Sequence, residues 1–384
     1  MGAGVQAFEA YASAHAHGLR VVGGECPTVG LAGGYSQGGG HSALSSNYGL
    51  GADQTLEWEV VTADGELVTA SPKENSDLYW ALSGGGGGTY GVVISLTSKA
   101  HADGAVGGAF VEFLNTDPSS NVFWTAIEAW HSGLTALVDS GIMVLYTLSD
   151  VYFIILAVTA PGRSVSEVNN LLEPFRTTLA GLNITYSLNV TSFPSYYDHF
   201  NNYFGPLPYG IWPATNLQGG RLIPRSVVEN NNTGLTSVVR SIATTPGFTF
   251  SGIALSVNHS VVGNSPSSNA VLPAWREALI FTSINGVWNF SLPLSQNHAQ
   301  LGIMTDFIDP LLRDLTPGSG TYLNEANFAD PYWKEEFYGE NYPALRAVKR
   351  KWDKEDLFYA RTAVGSDAWF EDGEGRLCRA KEGK

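Results

Sequence analysis

Apolar and polar residues alternate over Thr55–Thr62 and again over Glu66–Thr69, on either side of Ala63-Asp64-Gly65. A period of two interrupted by Asp-Gly predicts a β-hairpin. Upstream, the alanine-rich stretch Val5–His17 has helical apolar spacing, and Gly18 marks its stop. Arg20-Val21-Val22-Gly23 reads as a short strand. Downstream, Asn75-Ser76-Asp77 is a cap cluster for a short helix over Leu78–Leu82, and Val92–Thr97 is a further strand. From Gly107 the texture changes. Strand patterns at Ala109–Leu114, Ile142–Leu148 and Val151–Thr159 alternate with helical ones at Pro118–His131 and Val165–Leu179, and Ser149-Asp150 suits a hairpin turn. Asn183–Thr191, Phe248–Asn258 and Ile280–Ile284 add strands. A helix over Gln296–Leu315 is expected to break at Pro310, and Pro343 to open a helix with Leu345, Val348 and Trp352 on one side. The fold class is α+β, its middle a mostly antiparallel sheet covered on one face by helices.

Two stretches fit neither period. Gly23–Ser46 is too rich in glycine for a helix and too irregular for a strand, and Gly84–Gly88 is a run of five glycines entering the strand at Val92. Glycine at such density lets the main chain adopt positive φ or approach a ligand where a Cβ would clash. Both therefore read as loops around something large and flat. The second lacks the Gly-Lys-Ser/Thr ending of a phosphate-binding loop. Gly2-Ala3-Gly4-Val5-Gln6-Ala7 matches a dinucleotide fingerprint without the strand that must precede it.

Length and charge narrow the possibilities. At 384 residues the chain exceeds one ordinary core, so two domains are expected. A net charge of −15 argues against nucleic acid as a partner. The basic residues of Arg346–Lys351 read as a solvated helix face. The longest apolar run, Val151–Val158, has the length of a strand and not of a membrane span. Five N-glycosylation sequons, at Asn183, Asn189, Asn231, Asn258 and Asn289, all fall in the middle of the chain, which favours a secreted glycoprotein. Met1-Gly-Ala-Gly-Val has no basic or apolar leader, so the chain is expected to be cytosolic or to lack its true N-terminus.

Several constellations bear on chemistry. Gly34-Tyr35-Ser36-Gln37-Gly38 fits the nucleophile-elbow pattern of a serine hydrolase at Ser36, but the glycines after it oppose the helix an elbow needs. His15 and His17 point about 200° apart on their helix, which disfavours a metal pair; no metal is expected. Cys26 admits three readings: a disulfide with Cys378, an inert thiol, or a reactive thiolate.

Gly24-Glu25-Cys26-Pro27-Thr28-Val29-Gly30-Leu31-Ala32-Gly33-Gly34, followed by Gly38-Gly39-Gly40-His41-Ser42, resembles the berberine bridge enzyme-like FAD-linked oxidases of the vanillyl-alcohol oxidase/p-cresol methylhydroxylase (PCMH) superfamily. The resemblance continues through Gly51-Ala52-Asp53, Val60–Gly65, Asp77–Leu82 and Gly85–Val93. It resumes at Tyr322-Leu323-Asn324-Glu325 and Tyr338-Gly339-Glu340-Asn341-Tyr342. It implies a PCMH-type FAD-binding domain over 1–105, a substrate-binding domain over 106–318, and a berberine-bridge-type segment over 319–384 that returns to the first. It further implies FAD contacts from Cys26, Pro27, Val29, Gly30, Gly33, Gly34, Gly39, Gly40, His41, Gly91, Val92 and Val93, with Asn341 and Tyr342 closing over the ring system. Cys26 takes the position of the cysteine that bonds to flavin carbon 6.

The family's first FAD subdomain, with its attachment histidine, is expected before Gly2. His41 lies after the cysteine, so it reads as a loop residue near the flavin and not as the linkage. The implied activity is oxidation of an alcohol, sugar or amine-type substrate by hydride transfer to flavin, with O2 as acceptor. Tyr322 is the expected base and Asn324 its hydrogen-bonding support. A tyrosine of ordinary pKa near 10 needs a neighbouring cation or donor for that task. Tyr146 and His259 are further candidates to reach the site from the sheet. The alternative reading is a non-catalytic chain that holds FAD weakly.

Overall fold

The structure is a computed structural model and describes residues 1–210 and 215–380. Strands β1 (Thr55–Val61), β2 (Leu67–Ala70) and β3 (Val92–Ser98) form an antiparallel sheet in the order β2-β1-β3. The β1–β2 hairpin turns at Gly65, whose φ of +80° only glycine adopts cheaply. Trp58 and Val60 of β1 bury against the helix Ser76–Leu82. The same core takes in Leu345 and Val348 from the helix Tyr342–Trp352, so the C-terminal end packs on the N-terminal sheet. Lys349 seals this contact. Its ammonium is 1% exposed, pairs with the fully buried Asp353, and donates to the carbonyls of Thr89 and Phe358 at 2.7 Å each.

The middle of the chain is one seven-stranded sheet: β4 (Val106–Leu114), β5 (Met143–Leu148), β6 (Tyr152–Pro161), β7 (Tyr186–Phe193), β8 (Asn216–Pro224), β9 (Phe248–Ala254) and β10 (Ala278–Val287). Its order is β8-β10-β9-β5-β6-β4-β7, and every neighbouring pair is antiparallel. Strand side chains alternate between faces, and here each face has its own core. One carries Phe113, Tyr146, Phe153, Phe250 and Ile284 against helices that include Val122–Asp139, Val165–Gly181 and Asn232–Ala243. The other carries Met143, Leu145, Ile253, Phe281 and Leu222 against the N-terminal glycine loop and Tyr322.

Several expectations need correction. Gly23–Ser46 is not free of helix: Leu31–Tyr35 forms a single π turn, with Gly33 at φ −88°, ψ −142° absorbing the irregularity. Asn75 caps no amide of the helix that follows; it sits at φ +47° and donates its side chain to the Thr69 carbonyl at 2.7 Å. The helix after Leu294 is interrupted by a π turn over Met304–Ile308, before Pro310. Pro310 sits in the first turn of the next helix, where its missing N–H is not needed. Strand β8 and the helix Asn232–Ala243 were not expected at all. The two cysteines are free thiols and do not pair.

Replacing Lys349 with Met leaves Asp353 charged and buried without its partner, and costs about 3–5 kcal/mol of stability. Chemical denaturation of K349M measures this. The double variant K349M/D353L restores most of the loss if the cost is electrostatic, and little of it if the lysine acts only through its stem.

Candidate functional site

The glycine loop, the Gly84–Gly88 run and the C-terminal segment meet on the sheet face that carries Phe281. Asn324 fixes the junction. Its side-chain amide donates to the Gly34 carbonyl and to the Tyr322 hydroxyl, both at 2.8 Å. It lies so close to Gly38 that a Cβ there would stand 2.2 Å from the amide oxygen. The two glycine loops lie back to back: a Cβ on Gly87 would come within 3.1 Å of the Gly34 α-carbon. Amides of Gly84 and Gly86 both bond the Gln37 carbonyl, at 3.0 and 2.8 Å. Gly33, Gly34 and Gly88 have open space where a side chain would be. Gly39 and Gly40 take φ of +114° and +77°, and their carbonyls accept from Ala52 and Gly51. The main chain left open at Gly33, Gly34 and Gly88 suits the flat face of a flavin, whereas Gly39 and Gly40 are packed against side chains.

Tyr322 is buried, its ring edge-on to His41, Trp275 and Phe281 at 5.3–5.4 Å. Burial pushes its phenol above the ordinary tyrosine range, and the nearby Glu325 carboxylate adds to this. The Asn324 amide and the main chain of Gly40 act in the opposite direction. The Asn324 amide is thus a hydrogen-bond donor aimed at the phenolic oxygen.

His41 stands between two carboxylates. Its Nε2 lies 2.9 Å from Glu325 and its Nδ1 3.4 Å from Glu25, in a site where the ring is 7% exposed. Burial works to lower its pKa, but the two carboxylates outweigh burial and lift it to about 10. The imidazolium is thus a buried ionic link between the glycine loop and the C-terminal segment. Sequence reasoning missed Glu25 and Glu325, although both lie inside the stretches it singled out. No spacing rule connects positions 25, 41 and 325.

Cys26 is half-buried, and its sulfur lies 3.4 Å from the Thr28 hydroxyl. The loop around it runs along the start of the helix Ala7–His15: the Pro27 and Val29 carbonyls accept from Phe8 and Ala7, and Gly30 bridges to Gln6. Gly91 lies where a Cβ would strike Val60 at 2.6 Å. Val93 is buried in the three-stranded sheet, and Val92 is half exposed on its outer face beside Ile94. Asn341 donates to the Ala270 and Val271 carbonyls at 3.2 Å, and Val271 in turn packs in the cluster holding Tyr322. Tyr342 stands apart, its hydroxyl on Asp367 and its ring against Trp333 and Tyr338.

Tyr146 faces the helix-side core, hydrogen-bonded to His131 at 3.0 Å, so it does not reach the site. His259 lies in a short helix after β9, bonded to Asn264. Ser36 is buried at the end of the π turn, with no strand before it; among the described hydrogen bonds and ion pairs it has no histidine partner.

Beyond Phe281 the same sheet face becomes polar. Ser251 pairs in register with Thr147 and Ser283, and Asn285 with Thr249 and Gln218. These six side chains lie two and four residues along from the row Leu145, Ile253 and Phe281, roughly 7–14 Å away. They are hydroxyls and amides only, five of them half-buried and one buried. Ser251 bonds Thr147 at 3.1 Å.

The His41 link has a pH signature. Its pKa is raised from 6.5 to about 10, so its contribution is complete below pH 6.5 and is lost as pH climbs through 10. Thermal melts should show H41Q destabilised at pH 6, with the gap to the parent closing by pH 10. A gap that does not depend on pH would mean that the ring acts by packing alone.

Comparison with known proteins agrees with this geometry. Residues 1–71 match the family model described as an FAD binding domain, and residues 321–365 the one described as berberine and berberine like. The chain is 43% identical over 381 residues to the FAD-linked oxidoreductase ZEB1 of Gibberella zeae, covering 99% of this chain and 66% of that protein. It is 46% identical over 385 residues to the FAD-linked oxidoreductase patO of Penicillium expansum, with the same coverage. The chain thus spans 66% of the length of these curated relatives. The crystal structure of the VAO-type flavoprotein MtVAO615 from Myceliophthora thermophila superposes with a TM-score of 0.94 at 43% identity, over 99% of this chain and 69% of that one. The glucooligosaccharide oxidase of Acremonium strictum, at 18% identity and a TM-score of 0.77, shares the fold. The chain belongs to the vanillyl-alcohol-oxidase-type, berberine bridge enzyme-like family of FAD-linked oxidoreductases.

Proposed function

We propose that this chain forms the substrate-facing part of an FAD-dependent oxidase acting on neutral alcohols or sugars, with amines the less favoured class. The observation that carries the reading is the Asn324 amide, which joins the Tyr322 hydroxyl to the main chain of Gly34 in the open part of the glycine loop, on the sheet face that also carries the hydroxyl-and-amide row. Bound FAD would supply the hydride acceptor and pass the electrons to O2. The chain's own residues do the rest.

The row of Thr147, Ser251, Ser283, Thr249, Asn285 and Gln218 would orient a hydroxylated substrate without demanding a charge on it. Tyr322 would take the substrate hydroxyl proton, Asn324 steadying the phenolate. Gly33 and Gly34 would lie against the cofactor, and Cys26, half-buried and a free thiol, would be the residue that attaches to it. The cluster of sequons in the sheet domain supports a secreted, glycosylated protein.

The first experiment is an absorbance spectrum of the purified protein before and after acid precipitation. Flavin colour that stays with the pellet and is lost in C26A supports the attachment. Colour released to the supernatant leaves binding without a bond. A colourless protein overturns the FAD reading for this chain and favours the non-catalytic one.

Y322F should lower kcat by about 10²–10⁴ while leaving flavin colour intact. Because burial holds the phenol above its usual range, its deprotonated fraction grows about tenfold per pH unit above neutrality. The parent kcat/KM should therefore climb steadily to pH 10; a flat profile sinks the base role. N285L should raise KM about tenfold, the loss of roughly one hydrogen bond of 1.4 kcal/mol. An unchanged KM would remove the polar row from substrate binding.

A further inference from the structure

We propose that Asn183 and Asn189 carry N-linked glycans whose role is to shield the one bare edge of the seven-stranded sheet. The two edges of this sheet are treated differently. On the β8 side the chain itself covers the edge: the Leu222 amide bonds the Gly320 carbonyl at 2.8 Å, and Ser319 and Thr321 hydroxyls bond the carbonyls of Leu222 and Gly220. On the other side β7 pairs with β4 alone. Among the described residues no other main-chain segment bonds the outer side of Tyr186–Phe193. An uncovered strand of eight residues is a template for pairing with another chain, and proteins ordinarily block it with charge, proline or a covering element. Tyr186-Ser-Leu-Asn-Val-Thr-Ser-Phe193 has neither a charge nor a proline.

It has sequons instead. Asn189-Val-Thr lies within the strand and Asn183-Ile-Thr in the turn that leads into it, and both asparagines are exposed. Asn183 holds φ at +55°, a conformation that asparagine tolerates better than most residues. It lines a groove of about 620 Å³ whose walls include the exposed Leu114 and Val122, on which the first sugar has apolar surface to lie. Asn258 is a different case. Its carboxamide caps a helix through Val261 and donates to Ser256 at 3.1 Å, so its polar atoms serve the fold. Two bulky, hydrated chains on the β7 flank would supply the steric block that its side chains do not.

This inference rests on the secretory route proposed above, and one experiment separates the two. The full-length protein is secreted from a eukaryotic host, and its tryptic peptides are mapped by mass spectrometry before and after treatment with an amidase that removes N-glycans. The inference expects glycans at both Asn183 and Asn189. It also expects N183Q/N189Q to aggregate several-fold faster than the parent by light scattering, with the melting temperature and flavin content unchanged. Glycans at Asn231 or Asn289 but not at Asn183 and Asn189 overturn the inference while leaving secretion standing. No glycan at any sequon overturns both. Occupied sites with no change in aggregation for the double variant, against N289Q as a control, overturn the shielding role.

Discussion

Asn324 reaches the Gly34 carbonyl only because Gly38 has no side chain. Most of the site depends on that absence. With the amide in place, the Tyr322 hydroxyl is held, Glu325 meets His41, and His41 reaches back to Glu25. A methyl group at Gly38 would push Asn324 out of hydrogen-bond range, and the loop would lose its amide bridge to the C-terminal segment. The glycines of Gly23–Ser46 are therefore of two kinds. Some, such as Gly38, are there so that protein can approach protein; others, such as Gly33 and Gly34, leave main chain uncovered.

The sheet beneath is divided with similar economy. Alternation gives each strand one side chain per face every two residues. On the face turned to the glycine loop, the first rung is apolar and the following two are hydroxyls and amides. Leu145, Ile253 and Phe281 form a dry floor under Tyr322, where an ionic pair such as His41–Glu325 gains strength from the low dielectric. Thr147, Ser251 and Ser283 begin a wetter region one rung away. On the proposed reading, a hydroxylated substrate lying across that boundary would have its reacting carbon over the dry part and its remaining hydroxyls over the wet part.

Much of this was legible in the sequence, for physical reasons. The hairpin at Gly65, the strands from Ala109 to Thr159 and the helix opened by Pro343 each carry a local signal, and local periodicity suffices to read them. The motifs at Cys26–Gly34, Tyr322–Asn324 and Tyr338–Tyr342 identified the family. What was not legible depends on partners far away in sequence. Strand β8 escaped notice because Gly219 and Gly220 blank its pattern; they are glycines because Met304 and the Thr282 carbonyl occupy the space of their side chains. Tyr146 was assigned to the wrong face because parity along a strand does not say which face is which. The two carboxylates around His41 come from positions 16 residues upstream and 284 residues downstream.

Long reach also sets an order in time. Asn324 meets Gly34 across 290 positions, and Lys349 meets Thr89 across 260. At roughly 5–20 residues per second, the ribosome needs about 15–60 s to make the residues between Gly34 and its partner. Through that interval the glycine loop has neither Asn324 nor Glu325, while the seven strands of the sheet are being made one after another. The first-made part of this chain is then among the last to settle, and a nascent chain stalled before Asn324 would hold the strands of the sheet beside a loop still waiting for its other half.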